Sequence, residues 1–166
     1  MKTNISALMG LISEEERYLK SKCYTIGDYA INTSVEELDG RINIIEDNKE
    51  DFDLDLKEIE RSVKELSRLK AILYEKNNQF KLNDGRCIQQ AIVDNTNLRK
   101  LKSTYEELLV LKNSKKRVTE VNNSYFECKT VNFDSKQLRE RLEQIDNAIQ
   151  KTDFEISKLN SVEFEI

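Results

Sequence analysis

Residues 134–160, DSKQLRERLEQIDNAIQKTDFEISKLN, decide the fold class. Leu138, Leu142, Ile145, Ile149, Thr152, Ile156 and Leu159 recur at alternating steps of four and three residues, which puts them on one stripe of a helix and predicts a seam for another helix. The start of this helix is marked three ways. Asp134 is a good N-cap, Gln137 completes a capping box, and Phe133 and Leu138 occupy the two hydrophobic-staple positions.

Two earlier stretches repeat the pattern. Phe52, Leu56, Ile59, Val63, Leu66 and Leu73 form one stripe with Lys70 in the missing slot, and Ala91, Leu98, Leu101, Tyr105 and Leu108 form another with Asp94 in the gap. Residues 3–22 read as a first helix with Ile5, Leu8, Leu11 or Ile12, and Leu19 on one face. Its start resembles a short signal sequence, but Glu14-Glu15-Glu16-Arg17 breaks the apolar run and no small-x-small cleavage site follows. Residues 23–33, with Gly27, read as a loop. Ser34-Val35-Glu36-Glu37 has the capping-box spacing, so 35–50 is expected to be helical, although Gly40 and Asn48 weaken it.

Two segments switch to a period of two. Val162, Phe164 and Ile166 alternate with glutamates, and Tyr125–Phe133 is rich in aromatic and β-branched residues. The expectation is a chain that is mainly all-α, a single helical domain over 1–166. Its architecture would be an antiparallel long-helix bundle or coiled coil, ending either in a short two-stranded β ribbon near the C-terminus that pairs these two segments or in an irregular extended tail.

Composition agrees and excludes much chemistry. The 166 residues contain no proline to interrupt helices, no tryptophan and no histidine, and the net charge is −4. Without histidine there is no His-dependent triad, dyad or metal site. Cys23, Cys87 and Cys128 are odd in number and far apart, which suits reduced thiols in the cytoplasm. No stretch approaches the ~18 apolar residues of a membrane span. Asp51-x-Asp53-x-Asp55 opens like a calcium loop, but Leu56 stands where glycine is needed and Ser62 where glutamate is needed. No metal and no cofactor is therefore expected.

Charge is segregated. Residues 34–60 carry eleven acids and three bases, whereas 99–117 carry seven bases, Arg99 among them, and two acids. A basic helix end facing an acidic neighbour accounts for this better than nucleic acid does, since no recognised nucleic-acid motif accompanies it. The connector 76–86, KNNQFKLNDGR, concentrates amides and cations. Asp84 is expected to cap the next helix while Gly85 turns the chain. Lys76, Asn78, Asp84, Arg86 and Arg99 are the candidate residues for a small anionic ligand, with Arg86 able to grip a carboxylate or phosphate by two parallel hydrogen bonds.

From about Leu66 onward the chain resembles a family of small bacterial helical proteins labelled septicolysin. The resemblance rests on Lys76 and Asn78, Asp84-Gly85-Arg86 with Ile88 nearby, Glu127-Cys128-Lys129-Thr130-Val131, Asp134, and Asn160 before the tail. The chain has Asn122-Asn123 where the family places an Arg-Tyr pair. The resemblance implies a helix, a strand at 127–131 and a last helix with a short tail, and its label implies a membrane-active, pore-forming protein. The residues themselves lead instead to a non-enzymatic homo-oligomer whose connectors are either plain scaffold or a site that binds or sequesters a nucleotide-like anion. Neither nucleic acid nor membrane is an expected partner.

Overall fold

The computed structural model describes residues 2–166, and in it the chain is mainly α, with four helices and three two-stranded antiparallel sheets. In chain order these are β1 (Lys2–Thr3), α1 (Ile5–Thr25), a 3₁₀ turn (Ile26–Tyr29), β2 (Thr33–Glu36), β3 (Ile42–Glu46) and α2 (Lys49–Gln79), followed by α3 (Ile88–Val110), β4 (Ser114–Glu120), β5 (Asn123–Lys129), α4 (Ser135–Asn160) and β6 (Phe164–Glu165). They fall into two compact units, residues 2–79 with 160–166, and residues 80–159.

In the first unit α1 and α2 run antiparallel. Asn4 caps α1 by accepting the Ala7 N–H at 2.8 Å. Glu50 and Asp51 open α2 and Lys76 closes it, each placed to suit the helix dipole. Leu8 and Ile12 pack on Leu66 and Leu69, with Leu19, Ile72, Leu73 and Phe164 around them. A polar ladder continues the contact: Ser62 donates to Glu15, Tyr18 Oη donates to Glu58 at 2.6 Å, and Lys22 Nζ meets Asp55 at 2.7 Å and Glu58 at 2.8 Å. The expected α2 stripe is therefore rotated. Leu66 is buried, Leu56 and Val63 are exposed, and Asp55, Ser62 and Leu69 fill the buried face. The cause is that α1 offers charged partners beyond Ile12, so polar residues of α2 gain more by facing it.

The helix expected over 35–50 is a β-hairpin, and the loop expected over 23–33 begins as the last turn of α1 and the 3₁₀ turn. Ser34 does not cap a helix; it sits in β2 opposite Ile44. Val35, Ile42, Ile44 and Ile45 favour extended chain, and Gly40, at φ +84°, takes a turn conformation that few other residues adopt. These outweigh a four-residue capping signal.

In the second unit α3 and α4 are antiparallel. Asp134 caps α4 as expected, accepting the N–H groups of Lys136 at 2.7 Å and Gln137 at 3.2 Å. The α4 stripe is also as expected, with Leu138, Ile149 and Thr152 buried and Leu142, Ile145, Ile156 and Leu159 half-buried. Leu82, Ile88 and Ala91 join this interior, together with Asn95, only 1 % exposed. The expected ribbon exists as two ribbons with other partners. Tyr125 and its neighbours lie in β5, which pairs with β4, whereas Phe164 in β6 pairs with Thr3 in β1. A strand-like segment at 125–129 finds its nearest partner two residues back through a tight turn, which costs less chain entropy than closing across a helix of 26 residues.

Candidate functional site

The connector residues are placed by two different elements. Lys76 and Asn78 end α2 in the first unit: Lys76 Nζ donates to Gln79 at 2.8 Å and stands 5.2 Å from the Phe164 ring centre, and Asn78 Nδ2 donates to the Tyr74 carbonyl at 2.9 Å. Asp84 and Arg86 lie in the second unit, in a five-residue turn, Leu82–Arg86. The Leu82 N–H donates to the Arg86 carbonyl at 2.8 Å, the Gly85 N–H donates to the Leu82 carbonyl at 3.0 Å, and Gly85 has φ +88°. Asp84 does not cap α3, because its carboxylate is spent closing this turn. The cap is Cys87, whose Sγ accepts the Gln90 N–H at 3.4 Å.

Arg86 is the hub of the second unit. Its guanidinium reaches Asp84 Oδ2 at 2.7 Å, Asp94 on α3 at 2.7 Å and Thr152 on α4 at 3.3 Å. Arg86 holds the Asp84 carboxyl below the usual carboxylate range, and Asp84, then Asp94, raise the guanidinium's own pKa. Arg99 is likewise engaged, 2.6 Å from Asp153. The structure thus brings Asp84 and Arg86 together and sets Arg86 and Arg99 against adjacent residues of α4. Beside the turn is a cavity of about 100 Å³ lined by Lys81, Leu82, Asn83, Glu155, Lys158 and Leu159, small against the ~300–1,000 Å³ of ordinary ligand pockets and containing none of the five candidates.

The same turn occurs a second time. The Glu37 N–H donates to the Arg41 carbonyl at 2.7 Å, the Gly40 N–H to the Glu37 carbonyl at 2.9 Å, and Asp39 accepts both the N–H and Nε of Arg41. The flanking pairs correspond too, Glu36 with Ile42 and Lys81 with Cys87. The sequence signal for this was present in the tripeptide Asp-Gly-Arg, found at both 39–41 and 84–86. Asp-Gly-Arg thus closes a chain reversal at both places.

Larger clefts lie elsewhere among the described residues. One, about 500 Å³, is lined by Lys22, Tyr29, Asp51, Asp55 and Glu58 among others; the second, about 390 Å³, lies at the foot of β4–β5 between Leu108, Leu111, Lys112, Lys129, Val131 and Phe133. In the first, Glu58 is held below the usual range by hydrogen bonds from Lys22 and Tyr18, while Asp55 and Glu58 raise Lys22. Lys22 and Glu58 thereby each favour the charged form of the other.

What sequence reasoning missed is the exposed apolar surface of the hairpins. Val35, Leu38, Ile42, Ile44 and Ile45 stand in solvent on the first, and Val121, Tyr125 and Phe126 on the second. Both units have the same order of elements, a helix, a β-hairpin and a helix, so the fold defines a tandem helix–hairpin–helix protein. The chain belongs to the family of unknown function DUF6847, whose model matches residues 30–162. Comparison with curated proteins and with solved structures gives no match.

Proposed function

We propose that this is a non-catalytic, cytoplasmic protein that acts by assembling with copies of itself, its helices serving as a scaffold for the two hairpins. The observation that carries this reading is the exposure of Val35, Leu38, Ile42, Ile44 and Ile45 on one small hairpin. Each is worth about 1.5–3 kcal/mol when fully buried, against the ~4–15 kcal/mol that association costs, so assembly has to cover several of them. Leu56, Val63 and Leu101, heptad positions that also stay exposed, would be covered in a bundle or coiled coil formed with sister helices.

The connector has a structural part in this reading. Anion capture there would require Arg86 to leave Asp84 and Asp94, each 2.7 Å away, and a nucleotide would have to outcompete two carboxylates already in place. No helix among the described residues is long and apolar enough to cross a membrane. Light scattering at ~100 µM should give at least twice the 19.5 kDa chain mass. A monomer at that concentration contradicts the proposal, and dye release from liposomes at neutral pH would replace it with a membrane-active role.

A further inference from the structure

The two hairpins are complementary to each other in chemistry. From Thr33 to Asp47 the chain carries five acids (Glu36, Glu37, Asp39, Glu46, Asp47) and one base, Arg41. From Lys112 to Lys129 it carries five bases (Lys112, Lys115, Lys116, Arg117, Lys129) and two acids, Glu120 and Glu127. The strand registers sort these residues onto faces. Successive side chains alternate, and cross-strand partners share a face. Lys115 is opposite Cys128, Arg117 opposite Phe126 and Thr119 opposite Ser124, so one face of β4–β5 holds Lys115, Arg117 and Phe126. Contacts within the ribbon agree: Lys115 Nζ stands 4.4 Å from the Phe126 ring centre, and Arg117 Nε donates to Ser124 at 3.3 Å. Both acids of this segment lie on the other face, and among the described residues neither Lys115 nor Arg117 is paired with a carboxylate.

On the first hairpin Ser34 is opposite Ile44 and Glu36 opposite Ile42. One face of β2–β3 therefore holds Glu36 beside Ile42 and Ile44, all exposed. We propose that the Glu36–Ile42–Ile44 face of one copy docks on the Lys115–Arg117–Phe126 face of a second copy, an inference that rests on the assembly proposed above. The first face carries an acid and no base, and the second carries bases and no acid, so unlike faces attract and each chain uses one face to give and the other to receive. The isoleucines cover the Phe126 ring while Glu36 neutralises the cations. Because this attraction acts at the surface, raising salt weakens it.

Mixing two half-defective variants of the full chain tests this. Ile42→Lys with Ile44→Lys removes the giving face, and Arg117→Ser with Phe126→Ser removes the receiving face. All four side chains are exposed, and unchanged far-UV circular dichroism and melting should confirm folding. Lys115→Glu with Arg117→Glu repeats the second variant by charge alone if the serine variant fails to fold. Each variant by itself should self-associate roughly tenfold or more weaker than wild type. Mixed, they should form a 1:1 complex and stop there, since only one competent pair of faces remains. Assembly of either variant at wild-type strength, or a mixture that stays monomeric, overturns the inference while leaving wild-type assembly standing. A monomeric wild type sinks the assembly reading itself. A fluorescent single-stranded 20-mer should not bind. If it does, and Arg117→Ser with Phe126→Ser releases it without changing the protein's mass, the basic face is a nucleic-acid surface instead.

Discussion

Asp84 holds Arg86 through two different atoms, Oδ1 accepting the backbone N–H at 3.0 Å and Oδ2 accepting Nε at 2.9 Å. Asp39 does the same to Arg41, at 3.1 and 2.7 Å. The two turns part company only at the guanidinium, which at Arg86 also meets Asp94 and Thr152 and at Arg41 is mostly in solvent. Arg86→Ala should therefore cost about 1–3 kcal/mol in urea unfolding, since it strips a charged partner from α3 and α4. Arg41→Ala should cost clearly less. Arg86→Lys should recover only part, because an ammonium cannot span two carboxylates as a planar fork does.

Glycine substitutions should split by sign. Gly40 and Gly85 have φ of +84° and +88°, where a Cβ costs about 1–2 kcal/mol. Alanine at either position should lower the melting temperature. Gly10 lies inside α1, and a Cβ there meets nothing within 4 Å. Gly10→Ala should stabilise by about 0.5–1 kcal/mol through helix propensity. Calorimetry of the three variants reads both signs.

Asn95 fixes how α3 meets α4. Its Nδ2 donates to the Ile149 carbonyl at 3.3 Å and to Asp153 at 2.8 Å, and its Oδ1 has no hydrogen-bond partner. Asn95→Ala removes both bonds and leaves a cavity at a position only 1 % exposed, and should cost about 1–3 kcal/mol. Asn95→Asp should cost more, because it brings a second carboxylate against Asp153. Denaturant midpoints compared at equal m-value check the order.

Legibility varied with how local the cause was. The α4 stripe and its Asp134 cap were readable because helix period and capping are written in adjacent residues. The α2 face was not, since burying Asp55 and Ser62 depends on Lys22 and Glu15, which lie 33 and 47 residues away. The first hairpin was hidden by a competing local signal at Ser34–Glu37, although the β-branched residues Val35, Ile42, Ile44 and Ile45 and the recurrence of Asp-Gly-Arg both pointed to it. Arg86 was singled out as an anion-binding candidate, whereas in the fold it pairs with Asp84 and Asp94, and Asp94 appeared in sequence only as an irregularity in a heptad.

Stability should be flat across neutral pH. Lys22 lowers Glu58, Lys102 lowers Asp146 and Arg86 lowers Asp84. A depressed carboxylate stabilises the fold fully above its unfolded value, ~3.9 for Asp and ~4.3 for Glu, and that contribution is lost as pH falls through the depressed value. Lys22, raised by Asp55 and Glu58, and Lys102, raised by Asp146, act oppositely. Their contribution is complete below ~10.4 and is lost as pH rises through the raised value. With no histidine in the chain, melting temperature should vary little from about pH 5 to 9. A step between pH 6 and 8 would contradict this pairing scheme.

Hydrogen–deuterium exchange at ~1 µM and ~100 µM tests the central claim, that the exposed hairpins are covered in the assembled protein. Peptides spanning 33–46 and 114–129 should exchange more slowly at the higher concentration, while those from the interior of α3 and α4 stay unchanged. Exchange in both hairpins that is independent of concentration, in a sample shown to be oligomeric, would mean that assembly uses another surface.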